Sequence, residues 1–222
     1  MPSPKADPFG LPGIACHQRR FTAADALAAP GITLPPSVLA AVPLRRAEFL
    51  AGRLCAALAL RDLGCSTPDD VPVNPDRSPR WPPGFLGSIS HSAGHAIAVA
   101  ATTRTHSLLG IDLEPLMPPD VAQEVAPDIL SPGDAAHCPP GLPFAAFVTT
   151  VFSAKEALYK AIHPRLLRVI PFHAARLTAF GPHDLRLALD EDLRAALGLA
   201  PDLGLRIHQG ATSCLCLLAA PA

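Results

Sequence analysis

The most regular pattern of apolar and polar positions along the chain is helical and covers residues 44–63. Leu50, Leu54 and Leu58 recur there at spacings of four residues, which places them on one face of an α-helix. Gly64 follows this stretch, and glycine is common just after the last turn of a helix. The pattern therefore predicts a helix over residues 44–63.

The segments on either side of this helix carry little periodicity. The first forty residues are rich in proline, alanine and glycine, with a short periodic stretch only near residues 22–29, so we expect an irregular arm. Residues 66–85, STPDDVPVNPDRSPRWPPGF, contain many prolines. Such a segment is expected to form loop and short extended pieces.

The rest of the chain alternates between strand-like and helix-like patterns. Small and β-branched residues at 96–101 predict a buried strand, and a second strand is expected at 108–113. A helix is predicted over 149–162, followed by strands near 176–180 and 185–189 and a closing apolar run, CLCLLAA. The stretches HSAGHAIAVAA and HQGATSCLCLLAA resemble each other loosely. Together these patterns predict an α+β fold of two similar halves, residues 1–105 and 106–222.

Composition narrows the class of protein. With 49% hydrophobic and 17% charged residues, the 222-residue chain is typical of a globular protein. Its net charge of −1 argues against a nucleic-acid or membrane-surface binder, because those modes need a broad basic field. No apolar run approaches the roughly 20 residues that span a bilayer, and the opening MPSPKADPFG lacks the order of a secretory signal. We expect a cytoplasmic protein whose six scattered cysteines stay reduced and bind no zinc.

Two acidic residues stand next to each other on one face of the strand predicted at 108–113. Alternation along LLGIDLEPL sends Ile111 and Leu113 to one face and Asp112 and Glu114 to the other. Paired carboxylates suit a hard cation such as Mg²⁺, which takes oxygen ligands. A solvated acidic face on an edge strand explains the same spacing.

The segment VFSAKEALYKAI carries a second set of charged residues. Ser153 is a candidate N-cap, and Glu156 and Lys160 stand four residues apart on one helix face. An ordinary surface ion pair has the same spacing. The chain has only three lysines among its 18 basic residues, and Lys155 and Lys160 are two of them. This clustering suggests that an ammonium group is needed there.

A third candidate site is GSISHSAGHA, where small and hydroxyl residues surround His91 just before the strand at 96–101. A loop of this kind brings backbone N–H groups, Ser90, Ser92 and an imidazole to a phosphate. A histidine that only satisfies hydrogen bonds within a loop is the alternative.

The order of these motifs is more specific than any one of them. The chain reads R-x-E-F-x-x-G-R, R-x-P-x-W-P, G-S-I-S-H-S, G-I-D-L-E and F-S-A-K-E-A-L-Y-K-A in succession. This series resembles the Sfp-type 4'-phosphopantetheinyl transferases, in particular the enterobactin synthase component D branch. The resemblance runs from Arg46 to about Pro164, with Pro171 and Phe172 as a further match downstream.

The resemblance implies a role for each matching residue. Asp112, Glu114 and Glu156 match the family's ligands for the Mg²⁺ that is held against the pyrophosphate of coenzyme A. Lys160 matches the lysine that contacts the pyrophosphate and stabilises or protonates the leaving 3',5'-ADP. Ser90 and His91 match a pair that contacts coenzyme A phosphates.

The remaining basic residues have less specific matches. Arg53 and Arg77 correspond to basic residues near the nucleotide, a task that Arg46, Arg45 or Arg80 share. Lys155 stands beside Glu156 in the motif, and we expect it to support the site among the coenzyme A-binding residues.

The implied reaction transfers the phosphopantetheine arm to a serine of an apo acyl or peptidyl carrier protein. Asp112, Glu156 and Lys160 would be the catalytic residues, with Glu156 taking the serine proton directly or through a metal-bound water. The resemblance further implies two pseudo-symmetric α+β halves with coenzyme A in the cleft between them, and we expect a monomer. Siderophore, nonribosomal peptide and polyketide synthesis are the candidate pathways.

The segment at 115–130 would then lie near the dock of the carrier protein. Its apolar residues form either a landing surface for the carrier protein or core, namely Leu116, Met117, Val121, Val125, Ile129 and Leu130.

Two other functions would use the same acidic and basic residues. One is a different Mg²⁺-dependent nucleotide phosphotransferase or hydrolase, and the other is a non-catalytic coenzyme A-binding relative, which would be expected to lack one of the acids or Lys160.

Overall fold

The computed structural model describes residues 8–26, 31–69 and 71–222. The chain divides into two compact units, Met1–Leu109 with Pro221–Ala222 and Gly110–Ala220. Parts of the predicted arm, residues 1–7 and 27–30, lie outside the described residues, and so does the end of the periodic stretch at 22–29.

The first unit combines a three-stranded antiparallel sheet with one long helix. Its strands are β1 (Ile14–Arg20), β2 (Phe85–Ser92) and β3 (His95–Thr102), in the order β1-β3-β2. Helix α1 (Pro36–Leu39) precedes helix α2 (Pro43–Asp62), which packs on the sheet. Alanines supply much of the buried contact, among them Ala47 and Ala51 of α2 and Ala96 and Ala98 of β3. Small side chains let helix and sheet lie close together.

The second unit contains most of a five-stranded sheet and three helices. Its elements in chain order are β4 (His106–Pro115), α3 (Pro119–Ile129), α4 (Phe144–Leu166), β5 (Ala175–Phe180), β6 (Asp184–Leu189), α5 (Glu191–Leu197), β7 (Asp202–Gln209) and β8 (Ser213–Pro221). The strands are ordered β4-β8-β7-β6-β5. The buried thiols of Cys214 and Cys216 donate to the carbonyls of Thr149 and Thr150 at 3.7 and 3.6 Å. These contacts tie α4 to β8.

Most of the periodic predictions are confirmed. The helix expected at 44–63 is α2, and the strands expected at 96–101, 108–113, 176–180 and 185–189 are β3, β4, β5 and β6. The closing apolar run lies in β8. The α+β class is confirmed, and all six cysteines are free thiols. Among the described residues, no helix is long and apolar enough to cross a membrane.

Three predictions of local structure are wrong. The irregular arm contains strand β1, whose sequence IACHQRR is too polar for an apolar pattern but whose backbone pairs with β3 from Ile14 to Arg20. The loop expected around His91 is strand β2, which meets β3 through a tight turn at Ala93 and Gly94, both with positive φ. Helix α4 begins at Phe144, so Ser153 lies inside it and is no N-cap.

The apolar residues of the segment at 115–130 divide between core and surface, and its place near the carrier-protein dock stays a prediction. Helix α3 packs against α4 and buries Ala122, Ala126 and Ile129. Val121 is 38% exposed. Pro118 and Pro119 at the start of this helix mark its first turn, where a missing N–H costs little.

Candidate active site

Strand β4 and helix α4 approach each other unusually closely at Gly110, the first residue of the G-I-D-L-E motif. A Cβ atom added to Gly110 would lie 2.0 Å from the carbonyl oxygen of Ala157 and 2.9 Å from the Cβ of Ala161. Ser153 of α4 adds a hydrogen bond from its Oγ to the backbone carbonyl of Asp112, at 3.2 Å. The absent side chain at 110 therefore allows the two elements that carry the predicted acidic residues to pack directly together.

This packing brings Asp112 of β4 and Lys160 of α4 into contact. The Lys160 Nζ donates to Asp112 Oδ1 at 2.6 Å. The Asp112 side chain is 3% exposed, whereas that of Lys160 is 28% exposed. The ion pair thus has a buried acid and an ammonium that still reaches the surface. Charge-assisted hydrogen bonds of this length are among the strong ones in proteins.

Glu114 and Glu156 share the electrostatic environment of that pair. Burial raises the pKa of Glu114 to about 7, with a further increase from Asp112 and Glu156 and a decrease from Lys160. Burial also raises the pKa of Glu156, with Asp112 adding to the increase and Lys160 opposing it. The three acids therefore repel one another, with Lys160 as the cation that partly offsets the repulsion. Such clustered, perturbed acids are typical of functional sites.

The chemistry of this donor set fits a divalent cation. Carboxylate oxygens are the ligands that Mg²⁺ prefers, and a dication would relieve the repulsion that raises these pKa values. Within the parts of the chain that the structure describes, however, no set of three His, Cys, Asp or Glu side chains is arranged to hold a metal ion. Lys160 is bound to Asp112 instead. Binding would require side-chain rotation, and the metal assignment of Asp112, Glu114 and Glu156 stays a prediction.

Lys155, the residue before Glu156, points into a buried polar cluster. Its side chain is 2% exposed, and its Nζ lies 3.1 Å from Asp134 Oδ2 and 2.7 Å from the carbonyl oxygen of Ile129. Asp134 lies in a 3-10 turn and also accepts the backbone N–H groups of Ser131 and Leu177, at 2.9 and 2.8 Å. Burial lowers the pKa of Lys155, and Asp134 opposes this effect. This geometry gives Lys155 a structural role in the second unit, and its place among the coenzyme A-binding residues stays a prediction.

An apolar cavity of about 280 Å³ lies beside Glu156 in the second unit. Its lining includes Leu158, Tyr159, Ile170 and Phe172. Phe172 packs against Phe152 with ring centroids 5.5 Å apart and the ring planes tilted by 52°. A largely apolar, uncharged ligand suits a cavity of this kind.

A second cavity, of about 380 Å³, lies in the first unit and is rich in cationic groups. Arg45, Arg53, Arg77 and His91 line it together with one acid, Glu48. Three arginines around one concave surface are a typical recognition site for a phosphate.

Helix α2 supplies Arg53 to this cavity from a buried position. Arg53 is 8% exposed, and its guanidinium carbon lies 4.6 Å from the ring centroid of Phe49. Burial lowers the pKa of Arg53 to about 10, with a further decrease from Arg45. The guanidinium stays charged at neutral pH, so the cavity contains a desolvated cation that can pair with an anion.

Arg77 reaches the cavity from a tight turn. Its N–H donates to the carbonyl of Asn74 at 2.9 Å, and its φ is 71°. This left-handed conformation is uncommon for residues other than glycine. Backbone strain of this kind is found preferentially at functional sites.

The structure separates the predicted Ser90 and His91 pair. Neighbours on a strand point to opposite faces, and it is Ile89 and His91 that line the cavity. Ser90 is buried, at 4% exposed, on the other face. The two side chains therefore lie on opposite faces of strand β2, and their assignment to coenzyme A phosphates stays a prediction.

Two other candidate arginines lie elsewhere. Arg46 donates from Nη1 to the carbonyl of Leu39 at 3.2 Å and so fastens α1 to α2. Arg80 is exposed, and its backbone N–H donates to the carbonyl of Pro72 at 2.8 Å. Neither residue belongs to the lining of the cationic cavity.

Sequence reasoning missed Glu48 and Asp134. Glu48 is part of the R-x-E-F-x-x-G-R motif, and its spacing from Arg45 and Gly52 on one helix face was the available signal. Asp134 had no signal, because it lies 21 residues from Lys155 in the chain. Gly110 and Gly52 were also overlooked as sites of close packing. A Cβ at Gly52 would meet Ile89 Cγ2 at 2.9 Å.

Comparisons with known proteins agree with the motif order. The profile of the 4'-phosphopantetheinyl transferase N-terminal domain matches residues 34–101, and that of the 4'-phosphopantetheinyl transferase superfamily matches residues 108–199. Enterobactin synthase component D of Salmonella typhimurium is 40% identical over 148 residues, 65% of this chain and 59% of the relative. The 4'-phosphopantetheinyl transferase PptT of Mycobacterium tuberculosis is 37% identical over 155 residues, 67% of this chain and 66% of the relative.

A third relative is 4'-phosphopantetheinyl transferase Npt of Nocardia iowensis, 33% identical over 144 residues, 62% of this chain and 60% of the relative. The matches thus span between 59% and 66% of the length of these three proteins. Both profiles fall on successive parts of one chain, and they include the cationic cavity and the acidic cluster. This chain belongs to the 4'-phosphopantetheinyl transferase superfamily, in the branch of enterobactin synthase component D.

Proposed function

We propose that the protein transfers the 4'-phosphopantetheine arm of coenzyme A to a serine of an apo acyl or peptidyl carrier protein and releases 3',5'-ADP. The observation that carries this proposal is the acidic cluster of Asp112, Glu114 and Glu156 with Lys160. Its combination of one buried acid, two half-buried acids and one ammonium suits chemistry on a pyrophosphate. The names of the relatives agree with this reaction.

The reaction joins the serine Oγ of the carrier protein to the β-phosphorus of coenzyme A. The bond between that phosphorus and the bridging oxygen breaks, and the electron pair leaves with 3',5'-ADP. Positioning and electrostatic stabilisation contribute most of the catalysis of such a transfer. When bound, Mg²⁺ would supply positive charge to the pyrophosphate, with Asp112, Glu114 and Glu156 as its ligands.

Glu156 is the proposed base for the serine proton. Burial and the neighbouring Asp112 raise its pKa, which makes its carboxylate a stronger proton acceptor than an exposed glutamate. Lys160 is the proposed donor toward the leaving nucleotide. Its partly exposed ammonium already donates a hydrogen bond at this position, to Asp112, and transfer of that bond to a phosphate oxygen would offset charge on the departing group.

Each unit contains a cavity that suits one part of coenzyme A. The cationic cavity with Arg45, Arg53, Arg77 and His91 suits the 3'-phosphate, because the pyrophosphate is assigned to the acidic cluster. The apolar cavity beside Glu156 suits the pantetheine arm, whose chain is uncharged. We infer that substrate recognition is thus divided between a charged and an apolar subsite.

The biological setting is also a proposal. The name enterobactin synthase component D favours a carrier protein of siderophore synthesis, and other nonribosomal peptide and polyketide carriers use the same reaction. We infer a cytoplasmic monomer, in which a single chain forms the whole site.

Intact mass spectrometry of carrier proteins tests the reaction. A panel of apo carriers is incubated with the protein, coenzyme A and Mg²⁺, and the mass of each carrier is measured. At least one carrier is expected to gain the mass of the arm. Glu156→Ala should lower the rate by a factor of about 100 or more. Glu191→Ala is the matched control, because Glu191 is an exposed acid of the same unit that pairs with Arg194. Its rate should equal that of the parent.

Chelation of divalent cations by EDTA should stop the transfer, and added Mg²⁺ should restore it. Failure of every carrier to gain mass would contradict the proposed reaction. Parental activity in Glu156→Ala would contradict the assigned site.

A further inference from the structure

The cationic cavity of the first unit contains an acid that its proposed ligand does not need. Among the described residues that line this cavity, Glu48 alone carries a carboxylate. A carboxylate repels a phosphate and would weaken its binding if it did nothing else. Its presence beside three arginines therefore requires a physical explanation.

Glu48 holds two of the cationic groups at once. Its Oε2 accepts a hydrogen bond from Arg45 Nη1, and its Oε1 accepts one from His91 Nδ1 at 2.8 Å. Arg45 Nη1 and His91 Nε2 are then 3.4 Å apart. The carboxylate of Glu48 thus brings two basic side chains together, Arg45 from helix α2 and His91 from strand β2.

The exposure of the three side chains shows why such a bridge matters. Arg45 is 47% exposed and His91 36%, whereas Glu48 is only 24% exposed. Without a partner, a long exposed arginine side chain samples many rotamers, and binding a ligand then carries the cost of ordering it. With its Nδ1 on Glu48, the His91 ring has a fixed orientation, and its Nε2 lies beside Arg45 Nη1 at 3.4 Å.

We propose that Glu48 is a positioning residue, which fixes Arg45 and His91 in the orientation that binds the 3'-phosphate of coenzyme A. The inference rests on the proposed function only in the identity of that ligand. Glu48 itself does not touch the phosphate. Its effect on binding is indirect and is larger than the repulsion that its charge causes.

A similar pair on the same helix provides a control. Asp62, the last residue of α2, accepts a hydrogen bond from His17 Nε2 on β1, with 2.9 Å between Nε2 and Oδ2. Neither residue lines the cationic cavity. Asp62→Asn therefore disturbs a carboxylate–imidazole contact between α2 and the sheet without disturbing the proposed phosphate site.

Titration calorimetry with two nucleotides tests the proposal directly. Coenzyme A and 3'-dephospho-coenzyme A are each bound to the parent, Glu48→Gln and Asp62→Asn. Glutamine keeps the size of the side chain and one acceptor oxygen, but it presents an NH₂ group to the second cation. Glu48→Gln should weaken coenzyme A binding by roughly 10-fold and leave binding of the dephosphorylated nucleotide within about twofold. Asp62→Asn should bind both like the parent.

Steady-state kinetics add a second readout. For Glu48→Gln the KM for coenzyme A should rise while kcat at saturating coenzyme A stays at the parental value. This split is expected when an interaction is made equally in the ground state and the transition state. A fall in kcat with unchanged KM would contradict a binding role.

Each other binding result overturns the inference in a distinct way. Tighter binding of coenzyme A to Glu48→Gln would mean that Glu48 only repels the phosphate. Equal losses for both nucleotides would mean that Glu48 only stabilises the fold. If the parent binds the two nucleotides equally well, the 3'-phosphate is not held in this cavity. If the parent shows the expected binding pattern but modifies no carrier, the proposed transfer fails and the positioning role stands.

Discussion

Replacement of Gly110 by alanine tests whether direct contact between β4 and α4 holds the acidic cluster together. The new methyl carbon would lie 2.0 Å from the carbonyl oxygen of Ala157 and 2.9 Å from the backbone nitrogen of Ala161. Non-bonded carbon atoms prefer separations of about 3.5–4.0 Å. Both contacts are made by backbone atoms of a helix, which no side-chain rotation can remove. The strand and the helix must therefore separate by more than about 1 Å.

Two effects follow from that separation. Overpacking in a core usually costs about 1–3 kcal/mol, and the backbone contact places Gly110→Ala at the upper end, at about 3 kcal/mol. A displacement of about 1 Å between Asp112 on the strand and Glu156 on the helix should also lower transfer about 100-fold. Gly204→Ala is the matched control, since Gly204 lies in β7 of the same sheet and its added Cβ would meet only Arg186 Nη1, at an ordinary 3.7 Å.

Urea unfolding followed by far-ultraviolet circular dichroism measures the stability effect. The midpoint for Gly110→Ala should fall clearly below that of Gly204→Ala, with the slope unchanged if only stability has changed. Transfer to a carrier protein, followed by intact mass, measures the effect on the site. If Gly110→Ala unfolds at the midpoint of the control and transfers the arm at the parental rate, the close contact has no importance and the reasoning is refuted.

Three further outcomes are expected. Lys155→Met and Asp134→Asn should each lower the free energy of unfolding, measured by calorimetry, by about 3–5 kcal/mol, because each leaves a buried charged or polar partner without its counterpart. The double variant should lose less stability than the two single variants lose together. Arg61→Met, which breaks an exposed ion pair with Asp69, should cost less than about 1 kcal/mol. Glu114 has a pKa of about 7 in the folded protein against a usual 4.5, so the folded state binds its proton more tightly than the unfolded chain does. The melting temperature of the metal-free protein should therefore fall as the pH rises from about 4.5 to about 7. If the melting temperature of Glu114→Gln falls equally steeply with pH, this assignment is contradicted.

The parts of the fold that the sequence predicted are those with a strong local pattern. Helix α2 is indicated by leucines four residues apart, and β3 by its unbroken apolar run. The run in β3 coincides with its buried residues, whereas in α2 Leu58 is 38% exposed and alanines form much of the buried face. Strand β1 was missed because its stability comes from backbone pairing with β3. Polar side chains such as Gln18 and Arg19 hide that pairing from any pattern of hydrophobicity.

In the candidate site, too, the contacts within one element were predictable and those between elements were not. Asp112 with Glu114, and Glu156 with Lys160, were predicted to share a face because each pair lies within one element. The contacts of Lys155 with Asp134 and of Glu48 with His91 join separate elements. Spacing along the chain contains no information on such pairs, since folding alone brings them together. The loop expected around His91 is wrong for another reason, because this segment is strand β2 and strand alternation places the neighbours Ser90 and His91 on opposite faces.

The burial of Arg53 decides which basic residue is tolerated in the cationic cavity. Burial lowers the pKa of this guanidinium to about 10 and still leaves it fully charged in the cell. An ammonium begins from a lower pKa, so the same desolvation would bring a lysine at this position close to losing its proton at physiological pH. Exchange of arginine for lysine has little effect on most surfaces, but here it would make the positive charge less secure and would also change the shape of the donor group.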